Sequence, residues 1–253
     1  MEERFGYGFA LRNSLAHVET PFVCVIQHDR TFMRKTPVKQ IVETMVNDVQ
    51  QRIKYVGLSM RSNLMYRDIF MSKYGKIAVK ELFDLVVLPR ELVLDDEYIQ
   101  SSIDELRVLH SKSLWDNLVQ LSQSYKTSFH NRSQREILQR RSMSSGSGED
   151  DAIGARPCSL TPTLFWYDNT HICRTEHYID FVFSTKYKMV VRGGFVEDKL
   201  SPALIRTVEK LGLKDGHAKF GCYLLDDHSG FFYTGHLDGG NFLAGKEDRN
   251  LST

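Results

Sequence analysis

Hydrophobic residues along this chain alternate between two spacings, and each change marks an expected element. Between residues 5 and 18, Phe9, Leu11, Leu15 and Val18 recur at helical intervals and predict a short helix. Pro21 interrupts the pattern. Phe22-Val-Cys-Val-Ile26 then forms a continuous apolar run of strand length, as expected for a strand covered on both faces in a mainly parallel sheet. Thr36-Pro37 offers a hydroxyl N-cap and a first-turn proline, and Val38, Ile41, Val42, Met45, Val46 and Val49 follow at helical spacing. Ile53 to Leu58 is the next short apolar run. Helix, strand, helix, strand within about fifty residues is the rhythm of an α/β domain.

Farther along the pattern weakens, although Ile103 to Val108 and Leu114 to Leu121 read as helical. From Ser128 to Arg156 the composition changes: Arg132, Arg135, Arg140 and Arg141 run into Ser142-Met-Ser-Ser-Gly-Ser-Gly-Glu-Asp-Asp151. So few apolar groups do not offset the entropy of ordering the segment, which reads as a flexible surface loop, the alternative being a phosphorylatable or interaction insert. Order is expected to return with Leu160 to Tyr167, a helix over Thr175 to Phe183 and a strand at Lys188 to Val191. Ser201-Pro202 reads as the start of a further helix whose apolar positions are Leu204, Ile205, Val208 and Leu211. Two short strands, Tyr223 to Leu225 and Phe231 to Thr234, frame an Asp-Asp-His-Ser-Gly turn. No internal repeat is visible.

A chain of 253 residues with 42% hydrophobic content can bury a substantial core. Its net charge of +1 provides no global field toward nucleic acid or an anionic membrane, so partners must be sought in local sites. Cys24, Cys158, Cys173 and Cys222 form no Cys-x-x-Cys pair, which argues against a zinc knuckle or a thioredoxin-type motif and leaves most of them as small core residues. The start has no basic and apolar leader pattern, and no window is apolar enough to span a bilayer; a soluble, cytoplasmic protein is expected.

Three segments carry candidate chemistry. Gln27-His28-Asp29-Arg30 places a carboxylate at the end of the first apolar run, where open α/β sheets bind ligands; the alternative is a strand-capping Asp29 paired with Arg30. Arg30 is also suited to holding phosphate directly. Val191-Arg192-Gly193-Gly194-Phe195-Val196-Glu197-Asp198 is a glycine turn that lets a ligand approach the backbone, followed by two acids at a helix start. Phe165-Trp166-Tyr167-Asp168-Asn169-Thr170-His171 groups aromatic and hydroxyl-binding side chains, as an acceptor wall or as a core Trp166 beside a polar turn; Glu176 and His177 follow on the next element.

Taken in order with the helical segment Leu11-Arg12-Asn13-Ser14-Leu15, these segments resemble the donor-side and acceptor-side motifs of inverting nucleotide-sugar glycosyltransferases with the GT-A fold. The resemblance covers roughly residues 7–30 and 160–240. It implies a GT-A-like α/β fold with a mixed, mainly parallel sheet flanked by helices, a nucleotide-sugar donor and a carbohydrate or other hydroxyl acceptor. Arg12 and Asn13 would face the donor diphosphate, and Asp29, with a single carboxylate where the family has an Asp-x-Asp-type motif, would hold Mn²⁺ or Mg²⁺ with Arg30 beside it. His236, in Gly235-His-Leu-Asp-Gly-Gly240, would complete the metal site. Asp198 would be the catalytic base and Glu197 would position the acceptor, with Gly193, Gly194, Trp166 and Asp168 lining its pocket. A GT-A domain normally begins with a nucleotide-binding strand and helix ahead of the Arg-Asn helix. This chain is therefore expected to lack the N-terminal part of that half.

On this reading residues 1–127 form a partial donor side, 128–156 the flexible loop and 157–253 the acceptor side. Two other readings stand beside it. One is a catalytically inactive carbohydrate-binding module derived from the same fold, and the other a metal hydrolase using His28, Asp29, His171 and His236, which lacks any close histidine pair. No nucleic-acid partner and no membrane segment are expected.

Overall fold

A computed structural model describes residues 6–144, 155–191 and 193–236. The first apolar stripe forms α1 (Tyr7–Leu15), and the run after Pro21 forms β1 (Phe22–Val25). A turn leads to β2 (Arg30–Phe32), α2 (Val38–Asn47) and β3 (Tyr55–Gly57). In α2 the residues that face inward are Ile41, Thr44 and Met45, and Ile41 and Met45 are fully buried; such burial contributes roughly 1.5–3 kcal/mol per side chain. Val46 and Val49, at the end of the same apolar pattern, are exposed.

Next come α3 (Tyr66–Phe83), β4 (Val93–Asp95), α4 (Asp96–Leu109), α5 (Lys112–Thr127) and α6 (Phe129–Ser144). The Asp95 carboxylate caps α4 by accepting the Tyr98 N–H, and the Ser111 hydroxyl caps α5 by accepting the Leu114 N–H. At Gly75 (φ 83°, ψ 175°) the helical conformation of α3 breaks, a backbone geometry open to glycine alone without strain.

Helix α6 corrects the expectation of a flexible loop over 128–156. His130, Asn131, Ser133 and Gln134 are buried on it. Its anchors are polar side chains, which hydrophobic patterning does not register. Residues 145–154 of that stretch lie outside the described residues.

The remaining elements are β5 (Ala155–Pro157), β6 (Ser159–Pro162), β7 (His171–Arg174), a π-helical turn (His177–Val182), α7 (Glu197–Leu211), α8 (Leu213–Phe220), β8 (Cys222–Asp226) and β9 (Thr234–His236). The expected strand at Lys188 to Val191 is absent from the described residues. Helix α7 begins at Glu197, ahead of the expected Ser201-Pro202 start. Pro202 therefore lies inside the helix, where it removes the bond to the Asp198 carbonyl.

The fold is mixed α/β. A five-stranded sheet runs in the order β1-β7-β3-β8-β6, with β7 antiparallel to β1 and β3, and β3 parallel to β8. Strand β1 ends the sheet on one side. Cys24 is exposed and Ile26 is 52% exposed, so the first apolar run is an edge strand and is not covered on both faces. Strands β3, β6 and β8 are buried along their whole length. Two further ladders pair β2 with β9 and β4 with β5, both antiparallel, so the expected hairpin around Asp226-Asp227 is replaced by the β2–β9 pairing.

Chain contacts define two compact units. The first contains residues up to Gln27, Ile41–Gly57 and Pro162–Leu224; the second contains His28–Gln40, Leu58–Thr161 and the chain from Leu225 on. These units interleave in sequence and do not follow the expected 1–127 and 157–253 halves. In the second unit Met33, Leu64, Leu106, Leu114, Leu118, Tyr125 and Phe232 form a hydrophobic cluster.

Candidate functional site

In the first unit, α1 docks against the glycine turn that precedes α7. The Gly8 N–H donates to the Gly194 carbonyl at 3.2 Å, and Tyr7 stacks on Phe195 with ring centroids 5.4 Å apart. The approach is so close that a Cβ at Gly6 would lie 2.5 Å from Gly193 Cα. The Arg-Asn helix and the Gly-Gly-x-x-Glu-Asp segment, from opposite ends of the sequence, thus lie side by side. Arg12 and Asn13 are exposed on α1. Arg12 also lines a pocket of about 320 Å³ with Ser184, Thr185 and Lys188, walled by Phe9, Phe183 and Met189. Lys188 sits at φ 49°, a left-handed conformation that costs a non-glycine residue strain. Arg192 lies outside the described residues.

Glu197 and Asp198 occupy the first turn of α7, at the positive end of its dipole, and both are exposed. Asp198 Oδ2 accepts the Phe195 N–H at 3.1 Å. Glu197 Oε2 accepts the Asp168 N–H at 3.1 Å, and Asp168 Oδ2 in return accepts the Glu197 N–H at 3.0 Å. This reciprocal pair secures the start of the helix much as a capping box does, although its two members are far apart in sequence. The Ser201 hydroxyl reinforces it by accepting the Trp166 N–H and donating to the Trp166 carbonyl. The sequence pattern had assigned Ser201 to a helix start.

Trp166 and Asp168 are corrected from acceptor wall to scaffold. They are 1% and 3% exposed, so neither turns a surface toward a ligand. Burial pushes the Asp168 carboxyl up to about 7, against the pull of the Glu197 N–H. Trp166 packs in an aromatic layer with Tyr55, His171 and Tyr178. Within that layer, the Tyr55 hydroxyl donates to the Tyr167 carbonyl at 2.7 Å. His171 Nδ1 donates to the Asn169 carbonyl at 2.6 Å, which leaves Nε2 to accept the Tyr178 hydroxyl at 2.5 Å. His171 is fully buried, which removes it from any metal site with Asp29.

These buried groups predict an acid-labile first unit. Burial lowers His171 to about 4, His177 to about 3 and His217 to about 4, so all three stay neutral in the fold at pH 5 and gain protons on unfolding. Asp168, raised to about 7, is protonated in the fold at that pH and releases its proton on unfolding. Net uptake is about two protons, so stability falls by up to about 3 kcal/mol per pH unit on acidification from about pH 6 to 5. Thermal unfolding followed by tryptophan fluorescence between pH 7 and 5 measures this; a flat profile would refute it.

The second unit contains Asp29, Arg30 and His236. The β2–β9 ladder places Arg30 opposite His236, which brings His236 Nε2 to 2.8 Å from Asp29 Oδ2. Arg30 Nε stands 4.0 Å from Asp29 Oδ1, and Arg30 Nη1 donates to Met60 Sδ at 3.5 Å. Both side chains of the expected metal pair are therefore together and partly exposed. One carboxylate and one imidazole would leave most positions of a six-coordinate Mn²⁺ or Mg²⁺ to phosphate oxygens and water, as suits a cation shared with a nucleotide. Among the described residues no group of three or more His, Cys, Asp or Glu has metal-binding geometry.

The carboxylates that do end a buried strand are Asp226 and Asp227, which the motif reading left aside. Asp226 accepts from the Tyr125 hydroxyl at 2.8 Å, from Gln134 Nε2 at 3.2 Å and from the His228 N–H at 2.9 Å. His130 Nδ1 accepts the Arg67 N–H, so Nε2 carries the proton and donates to Asp226 at 2.8 Å. Asp227 meets Arg34 Nη1 at 2.7 Å and accepts from the Ser229 and Tyr233 hydroxyls. Burial works to raise both carboxyls, yet His228 and His130 hold Asp226, and Arg34 holds Asp227, below the usual carboxylate range. Internal partners saturate both acids, which makes them the framework of the second unit.

Comparison with protein-family models, curated proteins and solved structures finds no match to this chain. Among the described residues no helix is long and apolar enough to cross a membrane.

Proposed function

We propose that this chain is a GT-A-like inverting glycosyltransferase that moves a sugar from a nucleotide diphosphate to an acceptor hydroxyl. The observation that carries the reading is the docking of α1 on the glycine turn. It sets Arg12, with Lys188, Ser184 and Thr185 in its pocket, in the same unit as the exposed acids that open α7. In this reading the Arg12–Lys188 pocket takes diphosphate oxygens, which guanidinium and ammonium groups bind well. Asp198 takes the acceptor proton, and Glu197, held to the Asp168 backbone, orients the acceptor. Asp29 and His236, which meet in the second unit, would hold Mn²⁺ or Mg²⁺. Buried Trp166 offers no aromatic face to a sugar, which weighs against the binding-module alternative.

Calorimetric titration of UDP and GDP with Mn²⁺ into the full-length protein tests the reading. Binding that requires Mn²⁺ and weakens at least tenfold in both Asp29→Ala and Arg12→Ala supports it. Absence of nucleotide binding, or equal affinity in all three proteins, would overturn it.

A further inference from the structure

A second charged pocket lies entirely within the second unit, and no residue of the proposed transfer chemistry lines it. It is about 560 Å³, lies between α3 and α6, and has Met71, Val79, Phe83 and Phe129 as its apolar floor. Lys76 and Lys80, one turn apart on α3, and Arg132 on α6 stand at its edge. No carboxylate among the described residues pairs with any of the three, and the one acid in the lining, Glu136, already faces Arg140 at 3.8 Å. Three exposed cations around an apolar floor repel one another, and an anion placed among them removes that repulsion. Phe83 adds to the field: its ring carries the buried Arg67 guanidinium 4.1 Å from its centroid and also lines the pocket.

The floor calls for an apolar portion on the ligand, and the surrounding surface indicates its source. Ile77, between Lys76 and Lys80 in sequence, is 81% exposed, and Ile69, on the part of α3 ahead of the Gly75 break, is 42% exposed. A large aliphatic side chain held in water among lysines is the pattern of a segment that rests on an anionic bilayer, with cations at the phosphates and the apolar side chain among the acyl chains. We infer that the α3–α6 face docks on anionic membrane lipid, with the phosphate of one lipid between Lys76, Lys80 and Arg132 and its first methylenes against Met71, Phe83 and Phe129. The net charge of +1 conceals this patch because acids elsewhere on the chain cancel it.

The test is co-sedimentation of the full-length protein with phosphatidylcholine vesicles, with and without phosphatidic acid, in low and moderate salt. Wild-type protein is expected to bind only the phosphatidic acid vesicles and to release at higher salt. Lys76→Glu/Lys80→Glu/Arg132→Glu should lose at least tenfold in affinity, and Ile77→Ser should lose affinity without changing the salt dependence. All four positions are exposed, so unchanged thermal unfolding confirms that folding is intact. No binding by wild type, or equal binding by the triple variant, overturns the inference. Tight binding of soluble glycerol phosphate by the same three cations with no vesicle binding overturns it too, because it identifies a site for a free phosphate ester. The nucleotide titration above is independent of each of these outcomes.

Discussion

On the proposed transferase reading, Asp198→Asn should reduce sugar transfer by 10²- to 10⁴-fold, about 3 to 5 kcal/mol of barrier, with nucleotide binding nearly unchanged. The substitution is chosen for what it preserves. The Phe195 N–H, which Asp198 Oδ2 accepts at 3.1 Å, is equally well accepted by the asparagine carbonyl oxygen, so the start of α7 keeps its cap. What is lost is the ability to take a proton from an attacking hydroxyl. Initial rates of transfer to an active acceptor, together with nucleotide affinity and the thermal transition, separate this from misfolding. An Asp198→Asn enzyme that keeps more than about a tenth of wild-type turnover would remove Asp198 from the role of base, since tenfold is only about 1.4 kcal/mol.

Arg34→Met should cost about 3 to 5 kcal/mol of folding stability, because it strands Asp227 as a buried, uncompensated carboxylate. Arg34 Nη1 lies 2.7 Å from Asp227 Oδ2 and 3.2 Å from the Ser102 hydroxyl, Nη2 donates to the Phe231 carbonyl at 2.7 Å, and the guanidinium sits 3.8 Å from the Tyr233 ring centroid. The loss should appear as a lower urea midpoint and a Tm reduced by several degrees. Adding Asp227→Asn should recover part of it, since the stranded charge is then gone. The neighbouring pair Lys35–Glu105 is as short, at 2.8 Å, but its side chains are 45% and 44% exposed, so Lys35→Met should change stability by well under 1 kcal/mol. Equal effects of Arg34→Met and Lys35→Met would show that burial of the pair is not what sets its energy.

Local pattern was enough wherever an element faces one core with one stripe. The spacing of Ile41 and Met45 in α2 and of Leu114 and Leu118 in α5 can be read by eye because burying those side chains drives the helix onto its neighbours, whereas in α7 only Leu204 of the expected stripe is buried and Leu200, ahead of the expected start, joins it. The same reading fails where the order comes from polar contacts. Helix α6 looked like a loop because its inward residues, His130 and Gln134, are held by Asp226, a residue nearly a hundred positions away in the chain.

An apolar run such as Phe22 to Ile26 establishes a strand, but not how many neighbours cover it; only the sheet order made β1 an edge and β8 an interior strand. Trp166 and Asp168 could be recognised as a polar-aromatic group, yet their burial behind α7 depended on Glu197 and Ser201 folding back onto them. The meeting of Asp29 with His236 has the same origin. Each stood out locally as a carboxylate after a strand and a histidine in a glycine-rich segment, while their 2.8 Å contact exists because β2 and β9 pair in one particular register. The sequence by itself therefore determined the elements that turn a clear apolar stripe or run toward a core, such as α2, β1 and β8, because propensity and burial act within a few turns of chain. Tertiary structure alone decided which side chains are exposed, which are saturated and which meet, because hydrogen bonds and ion pairs close between residues that local spacing leaves unrelated.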